Sequence, residues 1–162
     1  MPSSRVIAVT QPLPIEIVAA AAHLPCADIS AVLREIAARA HATRLAGSSI
    51  EFLTQSLAAR ESMAFTSTAE GVAFPHAIRN EIAHDQAMAL VLTLSTPVVW
   101  GPHRVKLVVA LFGSPAEPWR HVRMLARAAR VCIQADARQR LSECATDQAL
   151  LDLFTKECNS HG

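Results

Sequence analysis

His76 directly follows a proline, Pro75, at the end of the short apolar run Val72-Ala73-Phe74. Proline has no backbone N–H and a fixed φ, and it biases the residue before it toward extended geometry. The run therefore predicts a strand that ends at Pro75 and leaves the imidazole facing outward. A neutral imidazole has one nucleophilic nitrogen, and its ordinary pKa of about 6.5 leaves it mostly deprotonated at neutral pH. His76 is thus a candidate phosphoryl acceptor; the alternative is an ordinary loop histidine.

Phosphoryl transfer requires in-line placement and hydrogen-bond donors to the equatorial oxygens. Arg60 is predicted at the C-terminal end of a helix, where a cation also interacts favourably with the helix dipole. His121 is predicted to open a later helix, near an N-terminus that favours an anion, or else to be a partly buried helix residue. The candidate donors are Arg60, His121, the Thr66 hydroxyl and the backbone amides from Gly71 to Ala77.

The helices that would position these residues follow from hydrophobic periodicity. Apolar residues at helical spacing after Asp28, a predicted N-cap, indicate an amphipathic helix that stops before Gly47. Ser48 and Glu51 form a predicted capping box for the next helix, which should end near residues 60–61. Two more helices are predicted, at Trp119–Ile133 and after the cap Thr146, the latter with an inner stripe of Ala149, Leu150, Leu153 and Phe154.

Strands are predicted between these helices. They lie at Arg5–Thr10, around Phe74, at Ala87–Leu94 and at Val105–Phe112, with a proline-marked turn at residues 11–14 and a helix within Ile15–Leu24. Strands interleaved with helices indicate an α/β fold (α+β layered), in which helices pack in layers against a sheet. We expect a single domain over residues 1–162 with a mixed sheet of about five strands, helices on both faces, and an N-terminal strand and helix in residues 1–27.

Composition narrows the function classes. Hydrophobic residues make up 51%, charged residues 18%, and the formal net charge is +1, so neither a nucleic-acid partner nor membrane insertion is predicted. The four cysteines form no C-x-x-C pair, which favours free thiols in a reducing, cytoplasmic compartment. The apolar stretch at residues 15–24 is too short to span a bilayer and contains Glu16.

Two other kinds of catalytic site are disfavoured. The histidines lack the i, i+4 spacing of a zinc hydrolase helix, so no metal and no cofactor is expected. The nucleophile elbow of a serine hydrolase, G-x-S-x-G, does not occur. Trp100 is expected at the edge of the core.

An arginine stripe recurs at helical intervals beside His121, at Arg120, Arg123, Arg127 and Arg130. Such a stripe is usually a solvated helix face. The alternative hypothesis is a docking surface for an acidic partner or for a phosphorylated carrier protein, flanked by Trp119.

The segment Ala59–Ala77, ARESMAFTSTAEGVAFPHA, resembles the phosphorylation-site segment of fructose/mannitol-type enzyme IIA domains of the bacterial phosphotransferase system, a family that includes nitrogen-regulatory enzyme IIA proteins. Arg60-Glu61, Thr66, Gly71 and the ending from Ala73 to Ala77 stand at matching spacings. Further on, TPVVWGPHRVKLVVALFGSPAE and RHVRMLARAARV are similar to the region that places the family's second histidine at His121. The resemblance covers residues 28–154.

The resemblance implies that His76 accepts phosphate from an HPr-type phosphocarrier protein, with Arg60 and His121 stabilising the phosphoryl group. The phosphate would pass to a IIB-like or regulatory protein, or its presence would itself be the signal. We expect a free-standing regulatory protein of the nitrogen type, with a sugar-specific component as the alternative. The sequence leaves a homodimer open.

One departure from the family pattern lies close to the site. Where relatives have a glycine-rich Gly-x-Gly-Asn-Gly stretch, this chain reads Ser67-Thr68-Ala69-Glu70-Gly71. Glu70 is therefore a candidate modulator, because an inward carboxylate would repel a phosphate and an outward one would not. The second hypothesis for function follows: a binding module that keeps the enzyme IIA fold but does not transfer phosphate.

Overall fold

A hairpin of two long antiparallel strands forms the centre of the sheet in the computed structural model, which describes residues 11–160. These strands are β4 (Met88–Trp100) and β5 (His103–Gly113). On one side β1 (Ile17–Leu24) pairs in parallel with β4, and on the other β2 (Val72–Ala73) and β3 (His76–Ile78) both pair in parallel with β5. The predicted strand at residues 5–10 lies outside the described residues.

Within residues 11–160, five helices cover the two faces of this sheet. They are α1 (Ile29–Thr43), α2 (Ile50–Met63), α3 (Pro118–Cys132), α4 (Ala135–Ser142) and α5 (Asp147–Ser160), with a short 3₁₀ turn at His84–Gln86. One face packs on α1 and α2 through residues such as Ile36, Leu57 and Phe112. The other packs on α3, α4 and α5 through Leu111, Met124 and Phe154. The predicted α/β domain, with a mixed five-stranded sheet between two helical layers, is confirmed.

The helix predicted within residues 15–24 is wrong, because this segment is strand β1. Its register places Ala20 beside Val91, with α1 and α5 in contact with the strand. Alanine favours a helix in isolation, but small side chains also suit a strand that is covered by helices, and the tertiary pairing overrides the local preference. Asp147 at the start of α5 accepts a hydrogen bond from the Ala22 N–H at 2.8 Å.

Helix caps are predicted correctly at two of three positions. Asp28 Oδ1 accepts from the Ala31 N–H at 2.8 Å, and Thr146 Oγ1 accepts from the Ala149 N–H at 3.1 Å. The cap of α2 is Ser49 rather than Ser48, since Ser49 Oγ accepts from the Phe52 N–H at 3.0 Å. The Ser48 carbonyl is instead hydrogen-bonded by His41 Nδ1 at 2.8 Å, which shifts the helix start by one residue.

Other boundaries differ where long-range contacts decide them. Both central strands are longer than predicted, α2 continues to Met63, and α4 was not predicted. Trp100 is fully buried rather than at the core edge, and Ala149 of the predicted inner stripe is exposed. The strand around Phe74 is two strands, because Pro75 interrupts the pairing and its carbonyl then accepts from the Leu111 N–H at 3.0 Å. His76 therefore begins a strand rather than following one.

The position of the α2 cap is testable by paired substitutions. Ser49→Ala removes the side-chain acceptor and should lower the free energy of unfolding by about 1 kcal/mol. Ser48→Ala leaves the carbonyl that His41 uses and should change it by less than about 0.5 kcal/mol. Urea denaturation followed by circular dichroism measures both values, and the reverse order would contradict the assignment.

Candidate functional site

The imidazole of His76 is held in one tautomer by its own backbone. Nδ1 lies 2.8 Å from the Phe74 carbonyl oxygen. A carbonyl can only accept, so Nδ1 carries the hydrogen and Nε2 keeps its lone pair. The ring is half-buried, and β3 fixes its backbone by pairing His76 with Leu111. The structure thus presents Nε2 as the nucleophilic nitrogen.

His121 lies in the first turn of α3, on the same side of the sheet as His76. Ala77 packs toward α1 and α2, so its strand neighbours His76 and Ile78 face the α3 layer. Gly113, which pairs with Ile78, leaves room there: a Cβ added to it would lie 3.9 Å from the His121 Cβ. Burial lowers the pKa of the His121 imidazole from its ordinary value, and the charge of His76 lowers it further. The two rings are therefore within electrostatic reach of each other, and His121 is neutral at neutral pH.

A buried carboxylate, Glu61, organises the segment that leads to His76. Its side chain is 6% exposed and accepts three hydrogen bonds, from the Thr66 N–H, the Thr66 hydroxyl and Trp100 Nε1. Thr66 Oγ1 in turn accepts from the Phe74 N–H at 3.2 Å. Phe74 is the residue whose carbonyl holds His76, so a continuous set of hydrogen bonds connects the end of α2 to the candidate nucleophile.

The remaining predicted donors are engaged in the fold. Arg60 lies near the C-terminal end of α2, as expected, and its Nη1 donates to the Ala64 carbonyl at 3.0 Å. The hydroxyl proton of Thr66 goes to Glu61. The Gly71 N–H donates to the Thr68 carbonyl, and Ala77 is 3% exposed within β3.

Glu70 stands apart from His76. Gly71 pairs with β5 at Lys106 and Leu107, whereas His76 pairs at Leu111, so four to five strand residues of about 3.3 Å each separate the two positions by about 13–16 Å. This separation exceeds the distance of about 10 Å over which salt screens exposed charges. The Glu70 carboxylate is exposed to solvent, and hydrogen bonds from its own backbone N–H and from Thr68 lower its pKa.

Two residues of the arginine stripe bond to backbone carbonyls and a third contacts an aromatic ring. Arg120 donates to the carbonyls of Pro14 and His84, and Arg127 donates to the Gln11 carbonyl at 3.4 Å, so both hold the N-terminal segment against α3. Arg123 lies over the half-exposed Trp119, 5.6 Å from the ring centroid.

The sequence pattern includes Glu61 only as part of the Arg-Glu pair and assigns it no role, and nothing in the pattern indicates the hydrogen bond from Trp100. A glutamate followed five residues later by a threonine was the available signal, but it does not show which donors meet the carboxylate.

Within residues 11–160, no group of histidine, cysteine or acidic side chains is arranged to hold a metal ion. Among the described helices, none has the length and apolar character to cross a membrane.

Comparison with known families gives one match that covers most of the chain. Residues 19–157 match the family described as phosphoenolpyruvate-dependent sugar phosphotransferase system, EIIA 2. A comparison with curated protein sequences gives no significant match.

Several solved structures of IIA proteins have the same fold. The chain is similar to nitrogen regulatory protein IIA-Ntr from Neisseria meningitidis, with a TM-score of 0.75 and 19% identity over 88% of this chain and 94% of that one. It is also similar to IIA mannitol from Escherichia coli, with a TM-score of 0.66 and 18% identity over 83% and 94%. A third structure is the complex of enzyme IIAMTL with phosphorylated enzyme IIBMTL from Escherichia coli, with a TM-score of 0.66 and 17% identity over 85% and 94%. At these identities the likeness shows the fold.

The Glu61 network gives a stability prediction. Glu61→Gln replaces one acceptor oxygen by an NH₂ group, so at least one of the donors from Thr66 and Trp100 loses its acceptor and the free energy of unfolding should fall by about 1–3 kcal/mol. The matched control is Glu51→Gln at the exposed start of α2, which should change it by less than about 0.5 kcal/mol. Equal urea midpoints for Glu61→Gln and the unsubstituted protein would contradict the assigned role.

Proposed function

Because this chain belongs to the EIIA 2 family of the phosphoenolpyruvate-dependent sugar phosphotransferase system, we propose that it is a phosphoryl carrier that accepts phosphate on His76 Nε2. The observation that carries the proposal is the hydrogen bond from His76 Nδ1 to the Phe74 carbonyl. It leaves Nε2 as the free nucleophilic atom, in a half-buried setting beside a second histidine.

The proposed donor is the phosphohistidine of an HPr-type phosphocarrier protein. The lone pair of Nε2 attacks phosphorus in line while the bond from phosphorus to the carrier's nitrogen breaks, and that nitrogen keeps the electron pair. No proton leaves His76, because Nδ1–H stays bonded to the Phe74 carbonyl and disperses the charge that the ring acquires. No cofactor takes part.

His121 and Arg60 would stabilise the transferred group. His121 is neutral, so it has one N–H to donate to a phosphoryl oxygen and one acceptor nitrogen. Arg60 would exchange its bond to the Ala64 carbonyl for a charge-assisted bond to the phosphate. Thr66, whose donor is taken by Glu61, supports the site through Phe74 rather than by touching phosphate.

We further propose that the phosphoryl group passes to a IIB-like or regulatory protein partner in the cytoplasm, where this family typically acts. A IIB partner is suggested by the IIAMTL–IIBMTL complex, and a regulatory role by the likeness to IIA-Ntr. Trp119 and Arg123 offer a contact surface for such partners next to His121. The exposed position of Glu70 weakens the case for a fold that no longer transfers phosphate, so active transfer is the better supported proposal.

The acceptor is tested by single substitutions. Incubation with a phosphorylated HPr-type carrier should give an acid-labile adduct of the chain, and His76→Ala should abolish it. His84→Ala removes an exposed imidazole and should leave the adduct unchanged. Phosphotransfer that survives in His76→Ala would refute the assignment, as would a complete lack of adduct across a panel of such carriers.

The pairing of the two histidines predicts a pH effect. In the unphosphorylated protein the pKa of His121 lies below its ordinary value, so its imidazole should titrate below about pH 6.5. A phosphoryl dianion on His76 favours the protonated form of a nearby imidazole, so phosphorylation should raise this pKa. Titration of the His121 ring by NMR in both states measures the change, and an unchanged or lowered midpoint would contradict the proposed proximity.

A further inference from the structure

An open cleft lies between the hairpin of β4 and β5 and helix α4, away from His76. Its volume is about 370 Å³, which is within the range of small-molecule sites. Three cations line it, Arg104 and Lys106 from β5 and Arg138 from α4, against one carboxylate, that of Glu70. The positive charges therefore converge on one concave space from two sides.

A bulge in β5 directs these cations into the cleft. The Gly71 carbonyl accepts from both the Lys106 N–H at 3.0 Å and the Leu107 N–H at 3.3 Å, so two residues of β5 oppose one of the neighbouring chain. Val105 and Val108 both face α1 and α2, which places Lys106 and Leu107 together on the opposite side. Bulges of this kind re-aim side chains and are frequent beside functional sites.

Gly71 is required for this bulge. Its φ is +83°, a conformation that L side chains rarely adopt, and an added Cβ would lie 3.1 Å from the Arg104 carbonyl oxygen. The turn that ends at Gly71 is therefore shaped to lie against β5 at the rim of the cleft.

The cations at the cleft are available to a ligand. The side chains of Arg104 and Lys106 are exposed and make no hydrogen bond or ion pair with the described residues. Arg138 is half-buried, and its Nη1 donates a hydrogen bond to the Cys132 carbonyl at 2.8 Å. Its other N–H groups remain available to bind a ligand. Guanidinium groups match phosphate oxygens in geometry and charge.

The rest of the lining suits an organic group. Leu107 and Pro97 supply apolar surface. Thr93, 3% exposed, accepts the His23 N–H at 2.8 Å through its hydroxyl oxygen and keeps its own O–H for another acceptor.

We propose that this cleft binds a small phosphorylated metabolite, with the phosphate dianion held by Arg104, Lys106 and Arg138 and the organic part against Leu107 and Pro97. Convergent cations in a concave space fit a compact dianion better than an acidic peptide, which needs an extended stripe of charge. The occupant touches the segment that carries His76, since His76 follows Gly71 by five positions. This site is separate from the phosphoryl site, and its binding does not depend on phosphotransfer.

The test is titration of the ¹⁵N-labelled full-length chain with inorganic phosphate, glucose 6-phosphate and adenosine monophosphate, at about 150 mM salt so that diffuse attraction is screened. At least one organic phosphate should shift the amides of Gly71, Lys106 and Leu107 and bind at least about tenfold more tightly than inorganic phosphate. Arg104→Gln with Lys106→Gln should weaken it at least about tenfold, equivalent to about 1.4 kcal/mol. Glu70→Gln should strengthen it about threefold by removing the opposing charge.

The matched control is Arg34→Gln, which removes an exposed cation from α1 on the opposite layer and should leave binding unchanged. The proposal is overturned if no probe moves the cleft amides at millimolar concentration, or if inorganic phosphate binds as tightly as both organic phosphates. It is also overturned if Arg34→Gln weakens binding as much as the cleft substitutions, or if an acidic peptide binds and none of the small phosphates does. Because these readouts are direct binding, they stand whether or not His76 accepts phosphate.

Discussion

The buried carboxylate of Glu61 connects helix α2, the loop that follows it and the central hairpin, and the relative positions of these elements determine where His76 lies. A carboxylate removed from water is costly unless hydrogen bonds replace its hydration. Here the replacements come from two places far apart in sequence, Trp100 at the end of β4 and Thr66 in the loop after α2. The carboxylate therefore fixes the end of α2 against the central hairpin, and Thr66 carries that constraint on to Phe74.

The consequence for the candidate site is a nucleophile oriented by backbone rather than by a side-chain partner. Pro75 interrupts the edge of the sheet and frees the Phe74 carbonyl to accept from the imidazole. Pairing then resumes at Leu111 and holds the backbone of His76. Because His76 lies at the edge of the sheet, its ring is accessible. The hydrogen bond at Nδ1 determines that Nε2 is the nitrogen with the free lone pair. Accessibility and tautomer control are both needed for a histidine that exchanges a phosphoryl group with another protein.

Strand β5 separates two chemically different regions. Its C-terminal end carries the neighbours of His76 and the room for His121 at Gly113. Its N-terminal part carries the bulge at Lys106 and Leu107 and the cations beside it. One short segment, from the turn at Gly71 through β2 to β3, runs along the strand from one region to the other. A ligand bound at the bulge would therefore contact the same stretch of backbone that presents the imidazole.

Local patterns in the sequence determined the fold class, the caps at Asp28 and Thr146, the two central strands and the candidate nucleophile, because each depends on residues that are neighbours in the chain. They did not determine that Ile17–Leu24 forms a strand, since an alanine-rich segment is recognised as a strand only when β4 lies beside it. Nor did they show that Arg60 and Arg120 bond to backbone carbonyls, or that Glu70 stands far from His76. Those facts depend on which atoms meet across the sheet and between layers, and the spacing of residues along a chain does not encode such contacts. The sequence made His76 the candidate phosphoryl acceptor, and the tertiary structure decided which nitrogen is free and which residues surround it.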